Sequence, residues 1–239
     1  VTRALDLLIE LSRFDRPATL TELARRVDLH PTTALRLLDS LRSRGFVQQS
    51  ANRGYVLGAQ NFELGSAYLR TVSVWSQANH LADSLAAAAG ETASVGVLDA
   101  GQILYIAIAR GQQDMGIASA PGTRHPAYCT ALGKAILADL PGDQVLEILR
   151  QDPPVRLTPS TLASIPALQR DLALTRRRGF AIDDEERTPG VLCIGAAIRD
   201  HKGDPVGAVS ISGPAARMRE HGIEKLGGIV SETASTYLT

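Results

Sequence analysis

The sequence predicts an N-terminal all-α winged helix-turn-helix, followed by an α+β domain built on a mostly antiparallel sheet flanked by helices. Three observations predict it. Residues 19–57 hold two short helical periods separated by a turn, then two short β-like runs. From Thr92 onward, β-like runs alternate with helical ones. Charge divides the chain in the same place: residues 1–57 carry nine arginines against six acids, and the remainder carries 16 lysines and arginines against 19 acids. The expected boundaries are 1–58 for the helix-turn-helix domain, 59–73 for a linker helix and 74–239 for the second domain.

In chain order, Arg3–Arg13 reads as a first helix with Leu5, Leu8 and Ile9 on its inner side, ended by Phe14-Asp15-Arg16-Pro17. Thr19-Leu20-Thr21-Glu22 fits a capping box, in which the threonine hydroxyl and the glutamate carboxylate satisfy each other's backbone amides. Leu20, Leu23, Ala24 and Val27 then recur at helical spacing. Val27-Asp28-Leu29-His30 breaks the pattern. Pro31 suits the first turn of the next helix, where its missing N–H has no partner in any case. Ala34, Leu37, Leu38 and Leu41 share one face of that helix, and Thr32, Arg36, Asp39 and Ser43 the opposite one, with Leu35 and Ser40 beside them. Gly45 suits the position just past its end. Phe46–Gln49 and Tyr55–Leu57 read as strands, with Arg53 in the turn between them.

Such a module puts its second helix into the DNA major groove. Solvated polar faces on an ordinary helix pair would show the same periodicity, so charge decides between the two: Arg25–Arg53 holds six basic residues against two acids, which suits phosphate attraction. Arg36 is the candidate for a base edge, because a guanidinium matches guanine O6 and N7. Thr32, Thr33 and Ser40 are candidates for phosphates or bases, and Arg53 for the backbone beside the wing.

The totals exclude several classes. At 4% aromatic, the chain has too few rings for a stacking platform for single strands. Cys129 and Cys193 are far apart and form no CxxC, so reduced thiols in the cytoplasm are expected. No signal peptide or apolar run of membrane length is present, so no membrane partner is expected. The chain begins at Val1, and a few native residues are expected to precede it.

In the second part, Ala59–Thr71 and Val74–Ala89 read as helices, the latter ending at Gly90. Thr92–Leu98 and Ile103–Ala109 read as strands, as does Gly116–Ala120. Tyr128–Leu140 reads as a helix, and Pro141-Gly142 and Pro153-Pro154 as punctuation. Ile165–Arg178 is helical, its three closing arginines and Gly179 fitting dipole complementarity and a C′ cap better than a second DNA patch. Phe180–Asp183, Leu192–Arg199 and Pro205–Ser212 are strands. Arg219–Leu238 is a helix with Ile223, Leu226, Val230 and Tyr237 in register.

Several pieces in this order resemble the IclR family of bacterial transcription regulators over essentially the whole length. They are Thr-Glu-Leu-Ala at 21–24, Thr-x-x-Arg-Leu-Leu-x-x-Leu at 33–41 and Gly45-Phe46-Val47. In the second part they are Ala131–Ala135, the run Gly179–Glu186, Cys193–Ile198 and Ser210–Gly213. The resemblance implies a GAF-like effector domain, a homodimer or homotetramer on a double-stranded DNA operator, no cofactor, and a small organic acid as signal. That acid would be glyoxylate-like or pyruvate-like, or aromatic. By motif it carries pocket roles onto Asp183, Cys193, Ser210 and Ser212, onto Ala131 and Leu132 at a helix start where free amides could hold an anion, and onto Met115 and Ile117 as an apolar wall.

Alternation in a strand puts alternate members of Asp183-Asp184-Glu185-Glu186 on opposite faces, so the four cannot all converge, and one inward acid with the others solvated is expected. Gly133-Lys134 fails the phosphate-loop signature, and Lys134 reads as a helix surface residue. Cys193 could be a nucleophile with His125 or His201, but no spacing places a base beside it. With His125 and Cys129 it lacks zinc-ligand spacing. The leading expectation is therefore a transcription regulator, repressor or activator. Its rival is a small-acid-processing enzyme using Asp183 and Cys193 with an N-terminal oligomerisation module, and a DNA-binding scaffold with a vestigial sensor is a third reading.

Overall fold

The computed structural model describes residues 1–112 and 120–237. The chain forms two compact units, Val1–Val72 and Ser73 onward. Met115, Ile117 and nearly all of the expected strand 116–120 lie outside the described residues.

The first unit contains α1 (Thr2–Leu11), α2 (Leu20–Arg26), α3 (Pro31–Ser43), the antiparallel hairpin β1 (Val47–Gln49) and β2 (Tyr55–Leu57), and α4 (Ala59–Leu69). Its core joins Leu7 and Leu11 of α1, Leu23 of α2, Leu38 of α3, Val47 of β1 and Tyr55 of β2. The turn between α2 and α3 runs through Asp28 in the left-handed region (φ 51), a conformation that aspartate tolerates better than branched residues do. The inner face of α1 differs from expectation. Leu7 and Leu11 are buried, Leu8 is partly so, and Leu5 and Ile9 stand 52% and 53% exposed. The helix is apolar at 4, 5, 7, 8, 9 and 11, so two overlapping stripes satisfy its period, and packing against α2 and α3 selects one.

The capping box forms: the Glu22 amide donates to Thr19 Oγ1 (3.3 Å), and the Thr19 amide to Glu22 Oε2 (2.8 Å). Thr19→Ala is expected to lower the stability of this unit by about 1 kcal/mol, read as a shifted midpoint in far-UV circular dichroism melts. An unchanged midpoint would mean that water caps α2 equally well.

The second unit contains α5 (Trp75–Ala89), β3 (Thr92–Asp99), β4 (Gln102–Ala109), β5 (Arg124–Pro126), α6 (Ala131–Asp139), α7 (Gly142–Gln151), α8 (Ile165–Arg178), β6 (Ala181–Asp184), β7 (Val191–Arg199), β8 (Pro205–Pro214), α9 (Ala215–His221) and α10 (Ile223–Ser235). All pairings in its sheet are antiparallel, in the order β5-β4-β3-β8-β7-β6. α5 and α10 pack together on the sheet; α6 also lies against the strands and is backed by α8. Val145 and Leu149 of α7 join the core around α6. The observed class is the expected one, a winged helix-turn-helix plus an α+β unit.

Several boundaries differ from the sequence reading. The expected helix 128–140 begins at Ala131, because Thr130 caps it and 127–129 form a 3-10 turn. Pro141 opens α7 rather than marking a loop. The C-terminal helix is two helices parted at Gly222, and the second stops at Ser235, short of Tyr237. Gly179 closes α8 at φ 85, a left-handed cap that L side chains rarely adopt. Two of the three arginines there serve the fold: Arg176 donates to the Ala138 carbonyl (2.6 Å), and Arg178 donates to the Phe180 carbonyl (2.5 Å) and lies over the Phe180 ring. Among the described residues no helix is long and apolar enough to cross a membrane.

Candidate functional site

On α3 the residues expected to meet DNA occupy the outer side. Arg36 is exposed, and the neighbouring Asp39 pairs with Arg42 (3.1 Å) instead of neutralising it. Thr32 is exposed, its hydroxyl 2.9 Å from His30 Nδ1, and Thr33 is half-buried. The Ser40 hydroxyl donates to the Arg36 carbonyl (3.0 Å), so it already has one partner within the helix. Arg53 sits exposed in the hairpin turn at φ 60.

In the second unit the sheet register builds a cavity of about 400 Å³. Asp183 pairs with Cys193, Cys193 with Ser212, and Ser212 with Thr92. Two residues along, Gly195 pairs with Ser210, and Ser210 with Ser94. Side chains alternate along a strand, so these two rows share one face, and all but Gly195 line the cavity. α6 is the lid over that face, and its first residues, Ala131 and Leu132, also line the cavity. It can lie this close because Gly195 has no side chain: a Cβ there would sit 2.8 Å from the Ala131 backbone. The Gly133 amide is taken by the Thr130 hydroxyl (3.2 Å), whereas the amides of Ala131 and Leu132 have no intrahelical acceptor. A helix start with free amides attracts an anion.

Asp183 is 4% exposed and accepts a hydrogen bond from the Glu186 amide (2.8 Å). Burial pushes its carboxyl up to about 7, against the opposing pull of Lys134. Burial and Asp183 together hold the Cys193 thiol well above its ordinary range, and its sulfur accepts from the Ser212 hydroxyl (3.1 Å). The thiol is therefore protonated and a poor nucleophile.

Two expectations are overturned here. Lys134 is not on the surface: it is 0% exposed, held between Asp171 of α8 (2.8 Å) and Glu186. The acid run also buries two members rather than one. The chain leaves β6 at Asp184 and turns at Glu185 with φ 60, so strand alternation no longer applies and Glu186 folds back inside. Asp184 and Glu185 point outward to Arg219.

The cavity also holds residues that the sequence reading missed, namely Thr92, Ser94, Tyr105, His125 and Arg187. Thr92 and Ser94 carried a signal, alternate hydroxyls on one strand. Arg187 sits in a turn, where no periodicity points to it. Its Nη2 donates to His125 Nδ1 (2.7 Å) and its Nη1 to Thr188 Oγ1 (3.2 Å). Burial and the adjacent guanidinium lower His125 to about 4, so it is neutral. Among the described residues no group of three His, Cys, Asp or Glu side chains could hold a metal ion.

Comparison with known proteins decides the family. The profile of the bacterial transcriptional regulator IclR C-terminal family matches residues 66–237, and that of the IclR helix-turn-helix domain matches residues 1–51. The chain belongs to the IclR family. It is a DNA-binding transcription regulator. The HTH-type transcriptional regulator BhcR of Paracoccus denitrificans is 36% identical over 97% of this chain and 83% of its own length. The crystal structure of Thermotoga maritima IclR superposes with a TM-score of 0.80 at 31% identity, covering 98% of this chain and 95% of that one. An IclR homologue from Microbacterium hydrocarbonoxydans, complexed with 4-hydroxybenzoate, shares the fold at 22% identity and a TM-score of 0.81, covering 98% and 95%. Within this IclR-type domain, the Gly133-Lys134 pair has a packing role. A Cβ at Gly133 would sit 2.2 Å from the Ala127 carbonyl oxygen, so the glycine lets the 3-10 turn press onto α6. Tyr128 is buried away from the cavity, its hydroxyl donating to the Val155 carbonyl (3.0 Å).

Proposed function

We propose that this regulator is switched by a small organic acid, glyoxylate-like, pyruvate-like or aromatic, bound in the cavity of the second unit. In this reading residues 1–58 bind an operator through Thr32, Thr33, Arg36, Ser40 and Arg53, residues 59–73 link, and residues 74–239 sense. Ala131, Leu132, Asp183, Cys193, Ser210 and Ser212 contact the effector, and Met115 and Ile117 are assigned to its wall. The protein acts in the cytoplasm as a homodimer or homotetramer, which sets two α3 helices on major grooves about 10 base pairs apart. The observation that carries this reading is the cavity itself: a polar face of aligned hydroxyls beneath a helix start whose amides suit an acid's oxygens. The homologue bound to 4-hydroxybenzoate supports an acid of that kind. Control requires that the acid bind one arrangement of the protein better than another, with coupling of about 1–3 kcal/mol.

We also propose that it turns nothing over. The protonated Cys193 supports this, as does the Nδ1 of His125, which is engaged by Arg187 and not by a nucleophile. A thermal-shift panel of small carboxylic acids, aliphatic and aromatic, tests the sensor, with each hit added to a binding assay on duplexes from the protein's own promoter region. A hit that changes operator affinity supports the reading; a hit consumed by the purified protein overturns it. The double variant Ser210→Ala, Ser212→Ala is expected to bind the operator as the parent does and to need about tenfold more acid for the same response, from the loss of two hydrogen bonds to the effector. An unaltered dose–response would put the effector elsewhere.

A further inference from the structure

Among the groups behind the cavity wall, Lys134 is paired with Glu186 and Asp171, and burial raises Asp183 to about 7, so it is only about half ionised near pH 7. Arg187 lines the cavity and ion-pairs with no carboxylate among the described residues. Its Nε is buried and has no hydrogen-bond partner among them. An unmet N–H on a permanent cation is among the most unfavourable groups a protein buries. The two groups on one edge of a guanidinium, Nε and one Nη, form the fork that takes a carboxylate through two parallel bonds. Here Nη2 spends one donor on His125 and keeps a second, while Nε is unused.

The position of this residue adds a second argument. His125 is on β5 and Arg187 follows β6, and among the described residues these are the two outermost strands of the sheet. The Arg187–His125 bond therefore links the two edges of the sheet across the cavity. A ligand that engages Arg187 meets a side chain already bonded to the opposite edge.

We propose that Arg187 holds the effector's carboxylate on its Nε edge, with His125 fixing the guanidinium plane. This assignment rests on the cavity being the effector site. It gives the ligand a polarity: the carboxylate meets Arg187, and its hydroxyl or carbonyl end meets the serine rows and Asp183.

The test uses the full chain, and calorimetry with pyruvate, benzoate and 4-hydroxybenzoate, each beside its uncharged carboxamide. Wild type is expected to bind at least one acid and to bind the matching amide much more weakly. Arg187→Gln should lose about tenfold to a hundredfold in affinity for the acid, with little change for the amide, because the lost bonds are charge-assisted. Arg187→Lys should recover only part of the loss, since it restores charge but not the fork. Operator affinity without acid, together with the melting temperature, shows that each variant is folded; if Arg187→Gln misfolds, Arg187→Lys alone decides. Acid affinity equal to wild type in Arg187→Lys, or in a folded Arg187→Gln, overturns the assignment. If that occurs while the Ser210, Ser212 double variant loses the acid, the cavity remains the effector site and only the anchor is wrong. If wild type binds none of the three acids, the effector reading fails and the anchor with it.

Discussion

Lys134→Met is expected to destabilise the second unit by about 3–5 kcal/mol, the usual cost of removing one partner from a buried ion pair. The side chain is wholly enclosed, and its ammonium lies between Asp171 and Glu186. Burial opposes its charge, yet the two carboxylates overcome this and hold its pKa above the ordinary lysine value. Methionine fills similar space but strands Glu186, which is 5% exposed, beside Asp171. Asp171 reaches solvent in part, which moves the expected loss toward the lower end. The only tryptophan, Trp75, opens α5, so its fluorescence during denaturant unfolding reports this unit. Lys134→Met with Glu186→Gln should recover part of the loss, because the stranded charge is gone. A single-variant loss below about 1 kcal/mol would mean that Glu186 takes up a proton at little cost.

Arg36→Ala is expected to weaken operator binding by about 1–3 kcal/mol, or roughly tenfold to a hundredfold, if the guanidinium makes a bidentate contact to a guanine. The structure leaves it exposed on α3 with Asp39 turned to Arg42. Fluorescence anisotropy on operator and scrambled duplexes at several salt concentrations separates the possible roles. A base contact loses affinity on the operator alone. A phosphate contact loses it on both duplexes and lowers the salt slope by about one. Unchanged affinity on both would remove Arg36 from the reading face.

Where one pattern had one solution, the sequence was readable. The capping box of α2, Pro31 at the start of α3, and the glycine end of α8 each come from local chemistry, and each appears as expected. The face of α1 was not readable, because its apolar residues fit two stripes. Lys134 was misread although a signal existed. Ala131–Ala138 is apolar nearly all round, and a helix buried on every side must bury its lysine too, as this one does. In the cavity, Asp183, Cys193, Ser210 and Ser212 are reached by alternation and motif, and Thr92, Ser94 and Tyr105 on the neighbouring strands are not. Arg187 and His125 meet only because the outer strands of the sheet are drawn to the same opening, which no local spacing encodes.

The two central strands of the sheet are the first and last of the second unit in chain order, so Thr92 is zipped to Ser212 only after the described strands between them exist. Since domains generally fold as units, N-terminal first, during synthesis, a ribosome making this molecule releases a finished DNA reader well before β8 can complete the receptor. A transcript cut short ahead of β8 would therefore encode a reader deaf to its metabolite, able to occupy promoters but not to be instructed.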